Sequence, residues 1–293
     1  FIAQLPFSLT GDQQRALDEI MRDLAGPAPM HRLLQGDVGS GKTVVALAAL
    51  LVAVQGGYQG AFMAPTEVLA EQHFLGSVQM LAGLTVPAEG SLLADRPVGV
   101  ALLTNRTTAA ERRRIAERLE AGEIDILVGT HALLYGDAQF SRLGLAVIDE
   151  QHRFGVEQRA LLRGKGDQPD VLVMTATPIP RTAAMLIYGD LDKSELRELP
   201  PGRTPIETTL VDPTPLAQAA AWDALRAEVA AGHQAYVVCP LVEDKGKVEA
   251  KAATAEYERL QAEELHDLRV GLLHGQMPAK EKEVDPYFTN TAN

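Results

Sequence analysis

The stretch Gly36-Asp37-Val38-Gly39-Ser40-Gly41-Lys42-Thr43 matches the pattern G-x-x-x-x-G-K-[ST] without a mismatch, and its flanks restrict the fold further. An apolar segment, Arg32 to Gln35, precedes it, and a segment with helical spacing, Lys42 to Val54, follows. A strand, a glycine-rich turn and a helix form the context in which successive backbone N–H groups turn inward around phosphate oxygens. The helix N-terminus adds positive potential there. All eight residues are candidate nucleotide contacts. Lys42 is placed to bridge the β- and γ-phosphates, and the Thr43 hydroxyl to ligate Mg²⁺. The competing reading is a glycine-rich turn with an incidental lysine, and the flanks disfavour it.

Short apolar, β-branched-rich runs recur along the chain: Arg32 to Gln35, Gly60 to Ala64, Val98 to Leu103, Asp125 to Gly129, Leu143 to Asp149 and Val171 to Thr175. Segments with helical spacing lie between them, at Asp12 to Leu24, Lys42 to Val54, Glu67 to Met80 and Ala109 to Ala121. Alternation of this kind predicts an α/β fold, a parallel sheet with helices on both faces. Buried strands should be apolar almost throughout, as Leu145-Ala146-Val147-Ile148 and Val171-Leu172-Val173-Met174 are.

The pattern stops between Glu198 and Pro215, where Pro200, Pro201, Gly202, Pro205, Pro213 and Pro215 crowd a stretch that cannot hold a helix. This divides the chain into residues 1–197, a linker over 198–215 and a smaller domain over 216–293. A helix (Leu216 to Ala231), a strand (Ala235 to Val242), a helix (Val248 to Glu264) and a strand (Arg269 to His274) are predicted in the last. Two strands and two helices make a poor core, so this domain is expected to be incomplete.

Composition excludes several classes. The longest purely apolar run, Val44 to Val54, has eleven residues, well short of the ~20 a membrane-spanning helix needs. No basic-then-apolar leader opens the sequence, and a cytoplasmic protein with no membrane partner is expected. A lone cysteine, Cys239, makes neither an intrachain disulfide nor a cysteine-rich zinc site. The net charge of −12 argues at first against nucleic acid. Seven of those charges, however, fall in residues 198–293, and the larger segment is nearer balance at 18 basic against 23 acidic.

A P-loop needs an acidic partner at the end of a neighbouring buried strand, and Leu145-Ala146-Val147-Ile148-Asp149-Glu150 supplies one. Asp149 is suited to hold magnesium through water and Glu150 to polarise the attacking water. Gln151 and His152 follow, polar groups placed to sense the γ-phosphate. His152 is no metal ligand, since no second ligand stands at suitable spacing.

Asp149-Glu150-Gln151-His152 resembles motif II of the superfamily 2 helicases and translocases. Other motifs follow in order. Ala64-Pro65-Thr66-Glu67 resembles motif Ia, Val128-Gly129-Thr130-His131 motif Ib and Thr175-Ala176-Thr177-Pro178 motif III. Leu9-Thr10-Gly11-Asp12-Gln13 resembles a Q motif, whose glutamine reads the adenine edge. Phe7 is either an adenine-stacking ring or a core anchor. The longer strings DEQHRFGV (149–156), TATPIPRT (175–182) and LPPGRTP (199–205), with the P-loop, closely resemble the RecG family of branched-DNA translocases over about residues 5–283. The transcription-repair coupling translocases share part of this pattern. They usually carry Phe at the position of Ser40 and Glu at that of Gln151, and lack the Pro-Pro-Gly-Arg-Thr-Pro linker.

The resemblance implies two RecA-like domains around ATP and Mg²⁺, in a double-strand DNA translocase that regresses stalled forks and migrates Holliday junctions. It also implies that Thr66 and Thr130 contact the DNA backbone, and that Thr175 and Thr177 couple those contacts to the nucleotide cleft. Backbone contacts suit a motor that must step over any sequence. Single-strand DNA-binding protein is a further partner by the same resemblance, and a nucleoid-associated monomer is expected. Arg181 either orients the strand end or pairs with a surface carboxylate. Arg112, Arg113, Arg114 and Arg118 read as a solvated helix face, with a DNA-facing edge as the alternative. The sequence opens just before the Q motif and shows no counterpart of motifs V and VI after Gly275, so a wedge domain and those motifs are expected to be absent. The chain is therefore expected to bind nucleotide weakly, to hydrolyse it slowly and not to translocate. A nucleotide-dependent binding module is the alternative from another class. A small-molecule kinase is compatible with a bare P-loop, but nothing in that chemistry requires Thr66, Thr130 or the Thr175–Thr177 pair.

Overall fold

The apolar runs of the N-terminal part build one parallel sheet. The computed structural model describes residues 1–87, 95–130, 133, 139–149, 169–177, 191–200, 206–239, 246–274 and 277. The chain divides into two units, Phe1–Thr204 and Pro205–Asn293. In the first, strands β1 (His31–Gly36), β2 (Gln59–Met63), β5 (Val100–Leu103), β6 (Ile126–Gly129), β7 (Leu143–Asp149), β8 (Asp170–Thr175) and β9 (Asp192–Leu196) form a seven-stranded sheet. Their order is β5-β6-β2-β7-β8-β1-β9, and every pairing is parallel. A short antiparallel pair, β3 (Thr85–Pro87) with β4 (Asp95–Pro97), stands apart.

Side chains alternate between the two faces of a strand, and both faces here are covered. Leu34, Phe62, Leu145, Val147, Leu172 and Met174 face one core with α1 (Gly11–Leu24), α2 (Lys42–Gln55) and, through Phe74 and Met80, α3 (Glu67–Met80). Leu33, Ala61, Met63, Ala146, Ile148, Val171 and Val173 face the other with Ile115 and Leu119 of α4 (Ala109–Glu120). The apolar run at Val44 is thus a core helix, with Leu47 and Leu50 fully buried. Truncating either to alanine would cost about 2–5 kcal/mol. No helix among the described residues is long and apolar enough to cross a membrane.

Strand β9 and the β3–β4 pair have no counterpart in the sequence reading. Asp-Lys-Ser-Glu-Leu is mostly charged because β9 is an edge strand, with only Ser194 and Leu196 buried. Charge on an edge discourages pairing with other chains. Arg32 on β1 ties this edge to α1: its Nε donates to Asp23 Oδ2 (2.6 Å), and its Nη1 to Ser194 Oγ (3.0 Å) and Glu19 Oε2 (3.3 Å).

The start of α1 is latched to the end of β9. Asp12 Oδ2 accepts from the backbone N–H groups of Arg197 (2.7 Å) and Glu198 (2.9 Å), and Glu198 Oε2 accepts from Asp12 N (3.2 Å). The Glu198 and Arg197 amides, with Arg15 beside them, hold the Asp12 carboxyl below its ordinary value of 3.8. A depressed carboxylate stabilises the fold above its unfolded pKa and loses that contribution as pH falls through the folded one. Asp12→Asn is therefore expected to lower the urea midpoint at pH 7 and to differ much less from the parent at pH 3. An equal deficit at both pH values would show that the charge does not act.

In the second unit α5 (Pro215–Ala230) is capped by Thr214, whose Oγ1 accepts from Ala217 N (3.3 Å). Helix α6 (Gly246–Ala262) ends near a cluster in which Arg259 pairs with Glu256 (2.8 Å) and Glu264 (2.6 Å). The strands predicted at Ala235 to Val242 and Arg269 to His274 do not form among the described residues, which include 235–239 and 269–274. An apolar run becomes a strand only when a neighbour takes up its backbone N–H and C=O groups. Without a ladder, Val238 stays 86% and Tyr236 66% exposed.

Candidate functional site

Parallel pairing brings the predicted motifs to one edge. Strand β1 leads into the P-loop, and its neighbour β8 ends at Thr175, paired with Gln35. Next along the sheet, β7 ends at Asp149, opposite Met174 of β8. The phosphate loop, the threonine pair and the acidic strand end therefore lie on consecutive strands at their carboxyl ends, where open α/β sheets bind ligands.

The P-loop is tightly wound. Gly41 is the N-cap of α2 with φ +84°, a left-handed conformation that L side chains rarely adopt. A Cβ there would stand 2.3 Å from Gln13 Nε2. Ser40 N donates to Asp37 O (3.1 Å), and Asp37 Oδ1 accepts from Val38 N (2.7 Å). Lys42 Nζ donates to the carbonyls of Gly36 (2.6 Å) and Asp37 (3.0 Å), which sets the ammonium at the loop itself. Lys42 and Thr43 are half-buried. Ser40 is buried, and its Oγ meets no hydrogen-bond partner among the described residues; a Cβ on Gly36 would lie 2.5 Å from it. Its side chain packs against the loop's own backbone.

Gln13 is 1% exposed, and both ends of its amide are engaged. Its Oε1 accepts from Thr10 N (2.9 Å), Thr10 Oγ1 accepts from Gln13 N (3.2 Å), and Nε2 donates to Ser40 O (2.7 Å). Thr10-x-x-Gln13 is thus a capping box, a pattern visible in the sequence. The glutamine thus holds the P-loop, with a second Nε2 hydrogen and a second Oε1 lone pair beyond these two bonds. Phe7 is 45% exposed, so it is not a core anchor.

Asp149 Oδ2 lies 2.7 Å from His73 Nε2, a partner the sequence reading did not single out. The signal available was spacing: His73 falls at i+3 from Ala70 and four residues before Ser77, the positions of α3 that are buried. Thr175 is buried, and its Oγ1 accepts from Thr177 N (3.2 Å) and lies 3.0 Å from Thr177 Oγ1. The two coupling threonines therefore form one hydrogen-bonded unit.

The two proposed DNA contacts differ. Thr66 is exposed as N-cap of α3, accepting from Leu69 N (3.3 Å). Thr130 follows β6, the strand paired with β2, and is only 5% exposed. The hydroxyl of Thr66 is at the surface and that of Thr130 is not. Along α4, Arg112 Nη2 donates to Thr104 O (3.0 Å) and Arg118 pairs with Glu123 (3.2 Å), while Arg113 and Arg114 are exposed. Glu150, Gln151, His152, His131 and Arg181 lie outside the described residues.

A family model described as DEAD/DEAH box helicase matches residues 10–186. The chain is similar to proteins described as ATP-dependent DNA helicase RecG. Identity is 50% over 279 residues with that of Synechocystis sp., covering 95% of this chain and 32% of the relative. It is 48% over 283 residues with that of Bacillus subtilis, covering 97% and 39%. The chain thus spans about a third to two fifths of the length of the curated relatives it matches. A solved structure described as RecG bound to three-way DNA junction matches with TM-score 0.74 and 41% identity, covering 96% of this chain and 35% of that one. The DEAD-box helicase Mss116, bound to ssRNA and UDP-BeF, shares 16% identity at TM-score 0.57, covering 96% of this chain and 58% of its own, a likeness of fold alone.

Proposed function

The chain belongs to the DEAD/DEAH box helicase family, and from that premise we propose that it forms the nucleotide-binding part of an ATP-driven double-strand DNA translocase that acts on branched DNA, regressing stalled forks and migrating Holliday junctions. The observation that carries this reading is the alignment of the P-loop, Thr175 and Asp149 on the ends of consecutive strands β1, β8 and β7. The preference for branched DNA is supported by the 45–50% identity with RecG proteins and by the likeness to a junction-bound structure. The transcription-repair coupling alternative is not favoured by these relatives, and neither is a binding module without motor activity.

The backbone N–H groups of residues 36–43 and the Lys42 ammonium hold the β- and γ-phosphates. Gln13, clamped between Thr10 and Ser40, keeps the loop in its binding shape, and exposed Phe7 stands ready to stack on the base. Glu150 takes the proton from the attacking water, while Gln151 and His152 sense the γ-phosphate. Thr175 and Thr177 link that cleft to exposed Thr66, which touches the DNA backbone and reads no bases, while buried Thr130 supports that contact from the end of β6.

The donor set suits magnesium. Thr43 and Asp149 offer hard oxygen ligands, and no group of three or more His, Cys, Asp or Glu among the described residues could cage a metal ion. That is the chemistry of an ion carried in with phosphates and held by one or two protein oxygens. When bound, Mg²⁺ neutralises charge on the β- and γ-phosphate oxygens. A cytoplasmic, nucleoid-associated monomer that meets single-strand DNA-binding protein belongs to the same reading.

ATP turnover of the full-length protein should rise several-fold on adding a forked duplex and less on adding linear duplex. Equal turnover with and without any DNA would overturn the reading.

A further inference from the structure

We propose that His73 is a positioning residue for the magnesium site, holding the Asp149 carboxylate in place from helix α3. The proposal rests on the reading of Asp149 as a magnesium-site carboxylate. Its observations are the placement and surroundings of the imidazole. The Asp149 oxygen can only accept, so Nε2 of His73 is the donor across 2.7 Å, and the opposed side chains are each 12% exposed. In such shielded surroundings a hydrogen bond to a charged group is stronger than at the surface.

The ring is fixed in two directions. Its face stacks on Phe62 with centroids 4.5 Å apart and planes 26° from parallel, and Phe62 is fully buried on β2. Its edge meets Asp149. Strand register explains why one ring reaches both. Phe62 stands opposite Val147 of β7, and Asp149, two residues further along that strand, points to the same face. Helix α3 packs over that face. The imidazole is therefore held flat against β2 while it grips the end of β7. This is the outer-shell arrangement that orients a metal-site carboxylate without touching the ion.

Helix α3 also carries the proposed DNA contact. Thr66 is its N-cap, and His73 lies seven residues on, about 10 Å along the axis. The first turns are tethered to the loop after β5, since Arg106 pairs with Glu67 (2.9 Å) and Glu71 (3.8 Å). One rigid helix thus runs from the DNA-facing end to the carboxylate.

The test is a magnesium titration of the affinity for a fluorescent adenine nucleotide, made on the full chain at fixed pH. Two variants separate the donor from the ring: His73→Phe keeps a ring to stack on Phe62 but cannot donate, and His73→Gln keeps a donor without the ring. His73→Phe is expected to raise the magnesium concentration needed by about tenfold, with magnesium-free affinity and the thermal midpoint little changed. His73→Gln is expected to recover part of the loss. An unchanged magnesium midpoint in His73→Phe overturns the proposal if Asp149→Ala, measured alongside, abolishes the magnesium effect. If Asp149→Ala also leaves the midpoint unchanged, the magnesium-site reading itself fails. In the double variant His73→Phe/Asp149→Ala, a loss no greater than in Asp149→Ala alone supports action through Asp149, and a further loss contradicts it.

Discussion

Replacing Lys42 with alanine in the full-length protein is expected to lower ATP turnover about 10³-fold and to weaken nucleotide binding as well. The ammonium sits against the carbonyls of Gly36 and Asp37, at the loop whose N–H groups would surround the phosphates. With nucleotide bound it would be a preorganised charge beside developing phosphate charge, and deleting a single such donor in a shielded site typically costs about 10²–10³ in turnover. The fold should survive. Lys42 is only half-buried, and α2 is seated by Leu47, Leu50 and their neighbours. Steady-state ATPase with and without forked DNA, beside the thermal midpoint, checks both parts. Near-normal turnover in a folded Lys42→Ala protein would overturn the P-loop assignment.

Glu150→Gln should behave differently: turnover falls about 10³-fold, while nucleotide affinity holds or improves. Gln keeps the size and polarity of Glu but takes no proton from water. Glu150 follows Asp149, the last residue of β7. A transition-state role lowers kcat, whereas loss of uniform binding raises KM. If Glu150→Gln raised KM with kcat intact, the general-base role would be wrong. The contrast between the variants separates phosphate holding from water activation.

Contiguous chemistry was the most legible part of this chain. The P-loop concentrates its backbone turn, lysine and hydroxyl in eight residues, so one string carries the whole device. The core strands were equally plain, because burial on both faces leaves apolar residues at successive positions, as in Ile126-Leu127-Val128 and Leu145-Ala146-Val147-Ile148. Strand β9 was not, since an edge strand buries only alternate residues and Lys193 and Glu195 hide the alternation. The His73–Asp149 pair joins residues 76 apart, and only the register of β2 with β7 brings them together.

Two residues singled out by motifs have surroundings that the motifs alone do not give. Gln13 has a structural task that its motif did not announce, since its amide joins the Thr10 cap of α1 to the Ser40 carbonyl. Thr130 closes the end of β6 in a buried position, while Thr66 is exposed at the head of a helix. A motif places a threonine at a strand end, but the packing around that end decides whether it faces solvent. The apolar runs at Ala235 and Arg269 teach the same lesson. Periodicity says which side of a strand would be buried and is silent on whether a partner strand is beside it.

On the proposed reading, the ends of β1, β8 and β7 form the nucleotide site of an ATP-driven motor for branched DNA. Its most direct measurement follows a labelled synthetic fork with homologous arms through incubation with the full-length protein, scoring conversion to the regressed duplex. Conversion is predicted with ATP and Mg²⁺, but not with a non-hydrolysable analogue or in Lys42→Ala. A protein that hydrolyses ATP in the presence of the fork yet leaves its arms unconverted would contradict the account.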